Sequence, residues 1–177
     1  MAEILALAGS NSSTSINYEL IRYTTSLIEG HEIQVLNMAQ YPFSMYSEDE
    51  ERQKGFSNSL IELKNDIQKA KGVVLSVNEH NGNPSAYFKN VIDWLSRLER
   101  KFFQDTFVFL MSASRGKRGG VGSLQVLEAL LPRFGAEVVT TFSLPSFQEN
   151  FEKGTIVSSD LQLAHQDALN RFLEKLT

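Results

Sequence analysis

The sequence contains no cysteine, and its 177 residues include only four prolines and three histidines. Without cysteine, the chain can form no disulfide, no thiolate nucleophile and no Cys-ligated zinc or iron–sulfur site. The histidines, His31, His80 and His165, lack the spacing of a metal-binding motif. Any redox chemistry would therefore come from a bound cofactor and not from side chains.

Strong charge and long apolar stretches are also absent. The formal net charge is -4 and the pI is about 5.4, so the chain lacks the basic footprint of a nucleic-acid-binding protein. No apolar run approaches the roughly 20 residues that span a bilayer. The N-terminal residues 1–4 have neither the basic flank nor the cleavage site of a signal peptide. We expect a cytoplasmic protein without nucleic-acid or membrane partners.

The sequence does contain five short apolar runs that alternate with segments of helical period. A chain of this length suits one domain with a sizeable core. The predicted strands are residues 4–8, 33–36, 73–77, 107–111 and 138–142. Four of them are nearly continuous in apolar or β-forming residues, as in a parallel sheet covered on both faces. Residues 33–36 alternate more, which is typical of a strand nearer an edge.

The segments of helical period supply the crossovers between these strands. The predicted helices are residues 15–29, 59–70, 86–100, 121–134 and 160–176. Ser59 with Glu62 is interpreted as a capping box, and Gly135 as a C-cap. Five successive βα units with right-handed crossovers predict a three-layer α/β/α sandwich. Residues 40–55 and 145–159 are expected to be irregular.

The first of three polar loops at the carboxyl ends of strands is residues 9–17. Ligands of open α/β sheets bind at these ends. The loop offers five hydroxyls, two side-chain amides and the unpaired N–H groups of a helix start. Converging donors at the positive end of a helix suit a phosphate group. A polar loop with a serine N-cap explains the same residues.

The other two loops, residues 78–85 and 112–120, each allow two interpretations. In loop 78–85, the side-chain amides could hydrogen-bond a flat heteroaromatic ring, and His80 could stack on that ring or border it. Alternatively, the Asn, Gly and Pro residues of this loop could simply form a turn. Glycines of the third allow close approach of a ligand. Its basic residues Arg115, Lys117 and Arg118 could meet a pyridine-nucleotide phosphate or form a solvated charged loop.

Three common motifs are missing from these loops. The Rossmann pattern G-x-G-x-x-G does not follow the first strand, and the residues around Gly116 and Lys117 do not complete a P-loop. The nucleophile elbow G-x-S-x-G is absent as well. These absences argue against a dinucleotide dehydrogenase, an NTPase and an α/β-hydrolase.

Together, the three loops resemble the NADPH-dependent FMN reductase family of flavodoxin-like proteins, which includes flavin, quinone, azo and chromate reductases. The most specific match is the segment 89–94 at its fixed distance from Glu79. The matching residues are Gly9, Ser10, Ser15, Asn17, Asn78, Glu79, His80, Asn81, Phe88, Lys89, Asn90, Asp93, Trp94, Ser114, Gly119 and Gly120.

The resemblance implies a single domain, residues 1–177, with a five-stranded parallel sheet of order 2-1-3-4-5 that binds FMN non-covalently. The FMN phosphate would be held by Ser10, Ser12, Ser15, Ile16 and Asn17. The flavin ring would be lined by Asn78, Glu79, His80, Asn81 and Gly82, and closed at its far edge by Ser112, Ser114, Gly119 and Gly120. No catalytic protein residue is implied, since the flavin carries the chemistry.

The resemblance also implies the partners. NAD(P)H would reduce the flavin, and a small acceptor (a free flavin, a quinone, an azo compound or a metal oxyanion) would remove the electrons. Helix 86–100, with Phe88 and Trp94, would build a homodimer or homotetramer interface, although Trp94 taken alone suits an ordinary core position. Lys89 and Asp93 are expected to be structural.

Three residues depart from the family pattern. Ser12 stands where the family often has Arg, which removes a charge-assisted contact to the phosphate. Asn78 replaces the usual Pro, and His80 the usual Tyr. Two other functions are therefore weighed: a flavodoxin-type electron carrier, and a flavin-free regulatory domain of the same fold. The segment 89–94 and the modest charge argue against the carrier.

Overall fold

A five-stranded parallel β-sheet forms the centre of the computed structural model, which describes residues 3–177. In chain order its strands are β1 (Ile4–Ala8), β2 (Ile33–Leu36), β3 (Gly72–Ser76), β4 (Thr106–Ala113) and β5 (Ala136–Leu144). They lie in the order β2-β1-β3-β4-β5, and every neighbouring pair is parallel. This confirms the order 2-1-3-4-5 and the position of residues 33–36 at an edge.

Helices cover both faces of the sheet. They are α1 (Ile16–Ser26), α2 (Glu48–Lys54), α3 (Asn58–Lys69), α4 (Ala86–Leu98), α5 (Val121–Leu130), the single turn α6 (Phe147–Asn150) and α7 (Ser159–Glu174), with 3₁₀ turns at Met38–Gln40 and Leu131–Phe134. Helices α1 and α7 pack on one face, and α3, α4 and α5 pack on the other. The three-layer sandwich is confirmed.

Strand β1 shows why the apolar runs are continuous. Leu5 and Leu7 point into the core under α3 and α4, while Ile4 and Ala6 point into the core under α1 and α7. Successive side chains of a strand point to opposite faces, so a sheet covered on both sides needs apolar residues at every position. Each residue of β1 and of β3 is buried accordingly.

The expectation that residues 40–55 are irregular is wrong, because they contain α2. Its seven residues are all polar, so no apolar period marks it. The helix instead begins with Ser47, whose Oγ accepts the Glu50 N–H at 3.1 Å. Acidic residues fill its first turn and basic residues its last, which complements the helix dipole. Glu50 and Lys54 also pair at 2.8 Å.

Two further expectations about local structure need correction, and one is confirmed. Helix α3 is capped by Ser57, whose Oγ accepts the Leu60 N–H at 3.3 Å, so Ser59 and Glu62 do not form the capping box. Residues 145–159 contain α6 and a small hairpin, Phe151–Glu152 with Thr155–Ile156. Gly135 does end the helical segment, with a φ of 100°.

The order of the strands reverses direction between β1 and β3, and this switch point is where open α/β sheets bind ligands. From β1 the chain moves outward to β2 and then returns across β1 to β3, so the loops after β1 and β3 lead to helices on opposite faces. A crevice beyond the carboxyl ends of the strands follows from this topology. None of the described helices is both long and apolar enough to cross a membrane.

Candidate functional site

An open cleft of about 440 Å³ lies at this edge of the sheet, between the loops that follow β1, β3 and β4. Its volume falls within the range of small-molecule sites. Nine residues singled out from the sequence line it: Ser10, Ser12, Ser15, Ile16, Asn17, Asn78, Glu79, His80 and Ser114. The structure therefore brings the three predicted loops together around one cleft.

The first loop presents hydroxyl groups at the start of α1. The Oγ of Ser10 accepts the Ser12 N–H at 3.3 Å, and the Oγ of Ser15, the N-cap residue, accepts the Tyr18 N–H at 3.2 Å. Within the described residues, the hydroxyl protons of Ser10 and Ser15 meet no acceptor. These two protons stay available for an anion at the positive end of the helix.

Asn17 holds the first loop to the strands beneath it. Its side chain is 1% exposed. Its Nδ2 donates to the Ala113 carbonyl at 3.1 Å, and its Oδ1 accepts from the Ala113 N–H and from the Ser76 hydroxyl, each at 2.8 Å. The side-chain amide of Asn17 is therefore fully used in bonds within the protein. Its backbone N–H lies in the first turn of α1, where it has no partner within the helix.

The second loop forms a short antiparallel hairpin, Glu79–His80 with Asn83–Pro84. Its turn residues Asn81 and Gly82 have φ values of 54° and 74°, the left-handed pair that a type I′ turn requires. Both are exposed at the hairpin tip and do not line the cleft. Of the two interpretations of this loop, the turn accounts for these two residues.

Asn78 precedes the hairpin and leaves an acceptor unused. Its Oδ1 is buried and has no hydrogen-bond partner among the described residues, while its Nδ2 lies 3.2 Å from His80 Nε2. A buried polar atom without a partner destabilises a protein unless a ligand or solvent satisfies it. Asn78 lines the cleft, so this atom marks a place for a hydrogen-bond donor.

Glu79 uses its carboxylate to cap α5. Helix α5 begins after Gly120, which has no side chain to cap it, and Glu79 Oε2 accepts the Ser123 N–H at 3.1 Å. A Cβ on Gly122 would lie 2.8 Å from the same Oε2. The side chain of Glu79 is thus structural at this point, since an anion is favourable at a helix N-terminus.

Three residues of the third loop lie beneath the cleft and do not line it. Ser112 is fully buried and donates to the Val77 carbonyl at 2.7 Å. Gly119 and Gly120 have φ values of 62° and 78°, and a Cβ on Gly120 would collide with the Ser112 Oγ. Gly120 therefore allows the start of α5 to approach β4 closely, and Gly119, whose Cβ would collide with the Ser143 Oγ, allows the same approach to the end of β5.

The aromatic residues assigned to an interface on α4 are buried in the core of this chain. Phe88 is 3% exposed and Trp94 4%. The Trp94 indole packs edge-on against Tyr46 and Phe56, and its Nε1 donates to the Ser44 carbonyl at 2.8 Å. The prediction that they contribute to a subunit interface is wrong, and the core interpretation of Trp94 is confirmed. Lys89 pairs with Asp93 at 2.6 Å on the helix surface.

Thr14, Ala113 and Arg115 also line the cleft and were not predicted as site residues. Thr14 belongs to the hydroxyl-rich loop, so its composition could have indicated it. Arg115 was noted only as part of a basic cluster. The other two cations of that cluster, Lys117 and Arg118, do not line the cleft. The sequence alone does not show which of the three cations does.

Comparison with known families agrees with this geometry. The chain belongs to the NADPH-dependent FMN reductase family, whose profile matches residues 2–149. It is 27% identical over 186 residues to the quinone reductase of Escherichia coli (strain K12), which covers 98% of this chain and 96% of the relative. The protein is therefore an NAD(P)H-dependent oxidoreductase.

Solved structures show the same fold. The NAD(P)H:acceptor oxidoreductase FerB from Paracoccus denitrificans superimposes with a TM-score of 0.79 at 21% identity, covering 99% of this chain and 97% of FerB. The azoreductase from Bacillus anthracis str. Sterne superimposes with a TM-score of 0.70 at 16% identity, covering 96% of this chain and all of the other. The flavodoxin-like architecture is thus confirmed.

Proposed function

We propose that this chain is a single domain, residues 1–177, that binds FMN non-covalently in the cleft and uses it to pass reducing equivalents from NAD(P)H to a small acceptor. The observation that carries the proposal is the convergence of three strand-end loops on one cleft with free hydroxyl donors at the N-terminus of α1. Membership of an FMN reductase family supports the flavin.

The residues of the cleft fit the chemical groups of FMN. The hydroxyls of Ser10 and Ser15 and the first N–H groups of α1 suit a phosphate. The unpartnered Asn78 Oδ1 suits a ring N–H. The carboxylate of Glu79, which would repel a phosphate, is held by the Ser123 N–H. This bond directs Oε2 of Glu79 towards the start of α5.

The protein's own contribution to the reaction is binding and orientation. When bound, FMN supplies the two-electron chemistry. The first loop would hold the phosphate end, and Asn78 with the backbone of Glu79 and His80 would line the ring. Ser112, Gly119 and Gly120 would support the third loop from below, and Asn81 and Gly82 would shape the hairpin that forms the wall. The open cleft leaves room for NAD(P)H and the acceptor to enter in turn.

Among acceptors, we place quinones first, since the chain is similar to a quinone reductase along nearly its whole length. Free flavins, azo compounds and metal oxyanions are the remaining candidates. We further propose a cytoplasmic homodimer or homotetramer. With Phe88 and Trp94 buried, an interface through α4 would use its outer residues, such as the exposed Ala86 and Lys89.

The flavin proposal is tested by an absorption spectrum of the purified protein after FMN addition and gel filtration. We expect retained flavin bands that bleach when NAD(P)H is added anaerobically and return when a quinone follows. Loss of the bands on the column would contradict the proposal. Retained flavin bands that NAD(P)H does not bleach would favour the electron carrier, which does not oxidise NAD(P)H itself.

A pair of variants locates the site. Ser12→Ala with Thr14→Ala removes two exposed hydroxyls from the cleft, and we expect roughly ten-fold weaker FMN binding. Ser26→Ala, an exposed hydroxyl near the opposite end of α1, is the matched control and should bind FMN as the wild type does. Equal affinity in all three proteins would place the flavin elsewhere.

A further inference from the structure

We infer that Arg115 is the counter-charge for the FMN phosphate, reaching it from the third loop and not from the first. The inference rests on the proposed function and assigns a residue to it. Among the described residues that line the cleft, Arg115 is the only one with a permanent positive charge. The first loop itself holds no lysine or arginine, so a phosphate bound there by the first loop alone would meet neutral donors only.

The Arg115 side chain is free to make this contact. It is exposed, and within residues 3–177 its guanidinium has neither an ion pair nor a hydrogen bond. Arginine presents several N–H donors in a planar fork that matches phosphate oxygens. An unpaired guanidinium at the rim of a cleft is therefore available to an anion without the loss of an existing bond.

The backbone that carries Arg115 is fixed on both sides. Ser114 donates its N–H to the Leu144 carbonyl at 3.1 Å, and its own carbonyl accepts the Phe147 N–H at 3.0 Å. The Gly116 carbonyl accepts the Ser146 N–H and the Ser114 hydroxyl, each at 3.0 Å. Because the main chain is ordered before a ligand arrives, binding needs to order only the Arg115 side chain.

The same loop is joined to the start of α1. Ala113, two residues before Arg115, exchanges hydrogen bonds with the Asn17 side chain through both its N–H and its carbonyl. Consecutive Cα atoms are about 3.8 Å apart, so Arg115 lies within two residues of a point fixed to the first turn of α1. Arg115 and the first turn of α1 therefore lie near each other, and both line the same cleft.

The two neighbouring cations provide matched controls. Lys117 and Arg118 are exposed in the same loop but do not line the cleft. A general attraction of FMN to a basic loop would respond to any of the three residues, whereas a direct contact responds to Arg115 alone. Arg115→Lys keeps the positive charge but removes the planar set of guanidinium N–H donors.

The experiment compares FMN with riboflavin, which lacks the phosphate, by quenching of flavin fluorescence. In Arg115→Gln we expect FMN binding to weaken roughly 10- to 100-fold, with riboflavin binding changed less than about two-fold. The salt dependence of FMN affinity should flatten in the same variant. Lys117→Gln should match the wild type, and Arg115→Lys should recover part of the affinity.

Several results would overturn the inference. FMN affinity unchanged in Arg115→Gln would do so, as would an equal loss for FMN and riboflavin. A rise in KM for NADPH but not for NADH, at constant FMN affinity, would assign Arg115 to the pyridine nucleotide instead. If the wild type bound neither flavin, that result would contradict the proposed function and, with it, the role of Arg115.

Discussion

The cleft and the segment that covers α4 are both rich in polar groups, but they differ in how those groups are paired. In the cover segment, residues 41–56, the Tyr46 N–H donates to Asn90 Oδ1 at 2.7 Å, and the Ser44 carbonyl accepts from both Asn90 and Trp94. In the cleft, the hydroxyl protons of Ser10 and Ser15 and the Asn78 Oδ1 have no partner among residues 3–177.

The paired polar groups of the cover segment hold the fold together, whereas the unpaired groups of the cleft are available to a ligand. Burial of an unpaired polar group is unfavourable, so unpaired groups gathered along one cleft favour a ligand that pairs with them. Asn90 and Trp94 belong to the most specific sequence match to the family, yet they serve to fix the cover segment. The hydroxyl residues of the first loop match the family pattern less specifically, yet most of them line the cleft.

The cover segment is also held by charge. Glu51 on α2 accepts hydrogen bonds from Arg97 at 3.0 Å and from the Tyr46 hydroxyl at 2.9 Å. Hydrogen bonding to Arg97, with a further bond from Tyr46, lowers the pKa of the Glu51 carboxyl. Because this pKa is lowered in the folded state, the contribution of the pair is present above the ordinary pKa of glutamate and is lost as the pH falls below it.

The largest effect is expected when the cover segment is detached. Trp94→Ala removes a buried indole and its bond to Ser44, and we expect a loss of about 3–5 kcal/mol in the free energy of unfolding. Trp94→Phe removes the N–H but keeps most of the packing, and the Ser44 carbonyl still has Asn90, so about 1 kcal/mol is expected. Urea denaturation of both variants measures this. Similar losses for the two would show that the hydrogen bond, and not the packing, holds the segment.

His165 is a core residue with one of its two ring nitrogens hydrogen-bonded, and it should make the stability of the protein depend on pH. It is fully buried, with Nε2 2.9 Å from the Thr24 hydroxyl and with no partner for Nδ1 in the described part of the chain. Burial lowers the pKa of the His165 imidazole from 6.5 to about 4. The unfolded chain therefore binds a proton first as the pH falls, and stability should decline by about 3 kcal/mol between these two values.

The measurement is chemical denaturation of the wild type at several pH values from 7.5 to about 4. His165→Leu should remove most of this decline, while His80→Gln, which changes an exposed histidine of the cleft, should keep it. A decline that persists in His165→Leu would assign it to the carboxylates, whose lowered pKa values act at the acidic end of the range.

The structural support beneath the cleft should respond to a smaller change. Gly120→Ala places a Cβ against the Ser112 Oγ at a residue with a φ of 78°, and we expect a loss of about 1–3 kcal/mol, measured by thermal unfolding. Gly116→Ala is the control, since its Cβ would meet only the Ser114 Oγ at 3.8 Å. It should stay within about 0.5 kcal/mol of the wild type. Equal stability of the two variants would contradict the close packing.

The smallest effect on stability is expected in the cleft itself. Ser12 is exposed, so Ser12→Ala should change the free energy of unfolding by less than about 0.5 kcal/mol. Added FMN should then raise the melting temperature of the variant less than that of the wild type, because ligand stabilisation depends on the ratio of concentration to Kd. A loss of stability without FMN would mean that this hydroxyl is structural, as in the cover segment.

The sheet and the three cleft loops could be predicted from the sequence, since apolar runs and polar strand ends are local patterns. The roles of individual side chains could not. The bond between Asn17 and Ala113 joins residues 96 positions apart, and no local pattern reveals it. Helix α2 was missed because none of its residues is buried. Phe88 and Trp94 were assigned to an interface from the resemblance to the family, and no pattern in residues 41–56 indicates that this segment packs against Trp94.

The double hydrogen bond between Asn17 and Ala113 has a consequence for how this protein can change. It joins the first loop to the third, whereas the hairpin of the second loop is held through Glu79 to α5, and that loop meets the first only at its end, where the Ser85 hydroxyl donates to the Gly9 carbonyl at 3.1 Å. In the proposed site the joined first and third loops carry the phosphate end and the hairpin borders the ring. Substitutions at the exposed residues 80–83 should therefore change reactivity or acceptor choice while binding of the phosphate end stays the same.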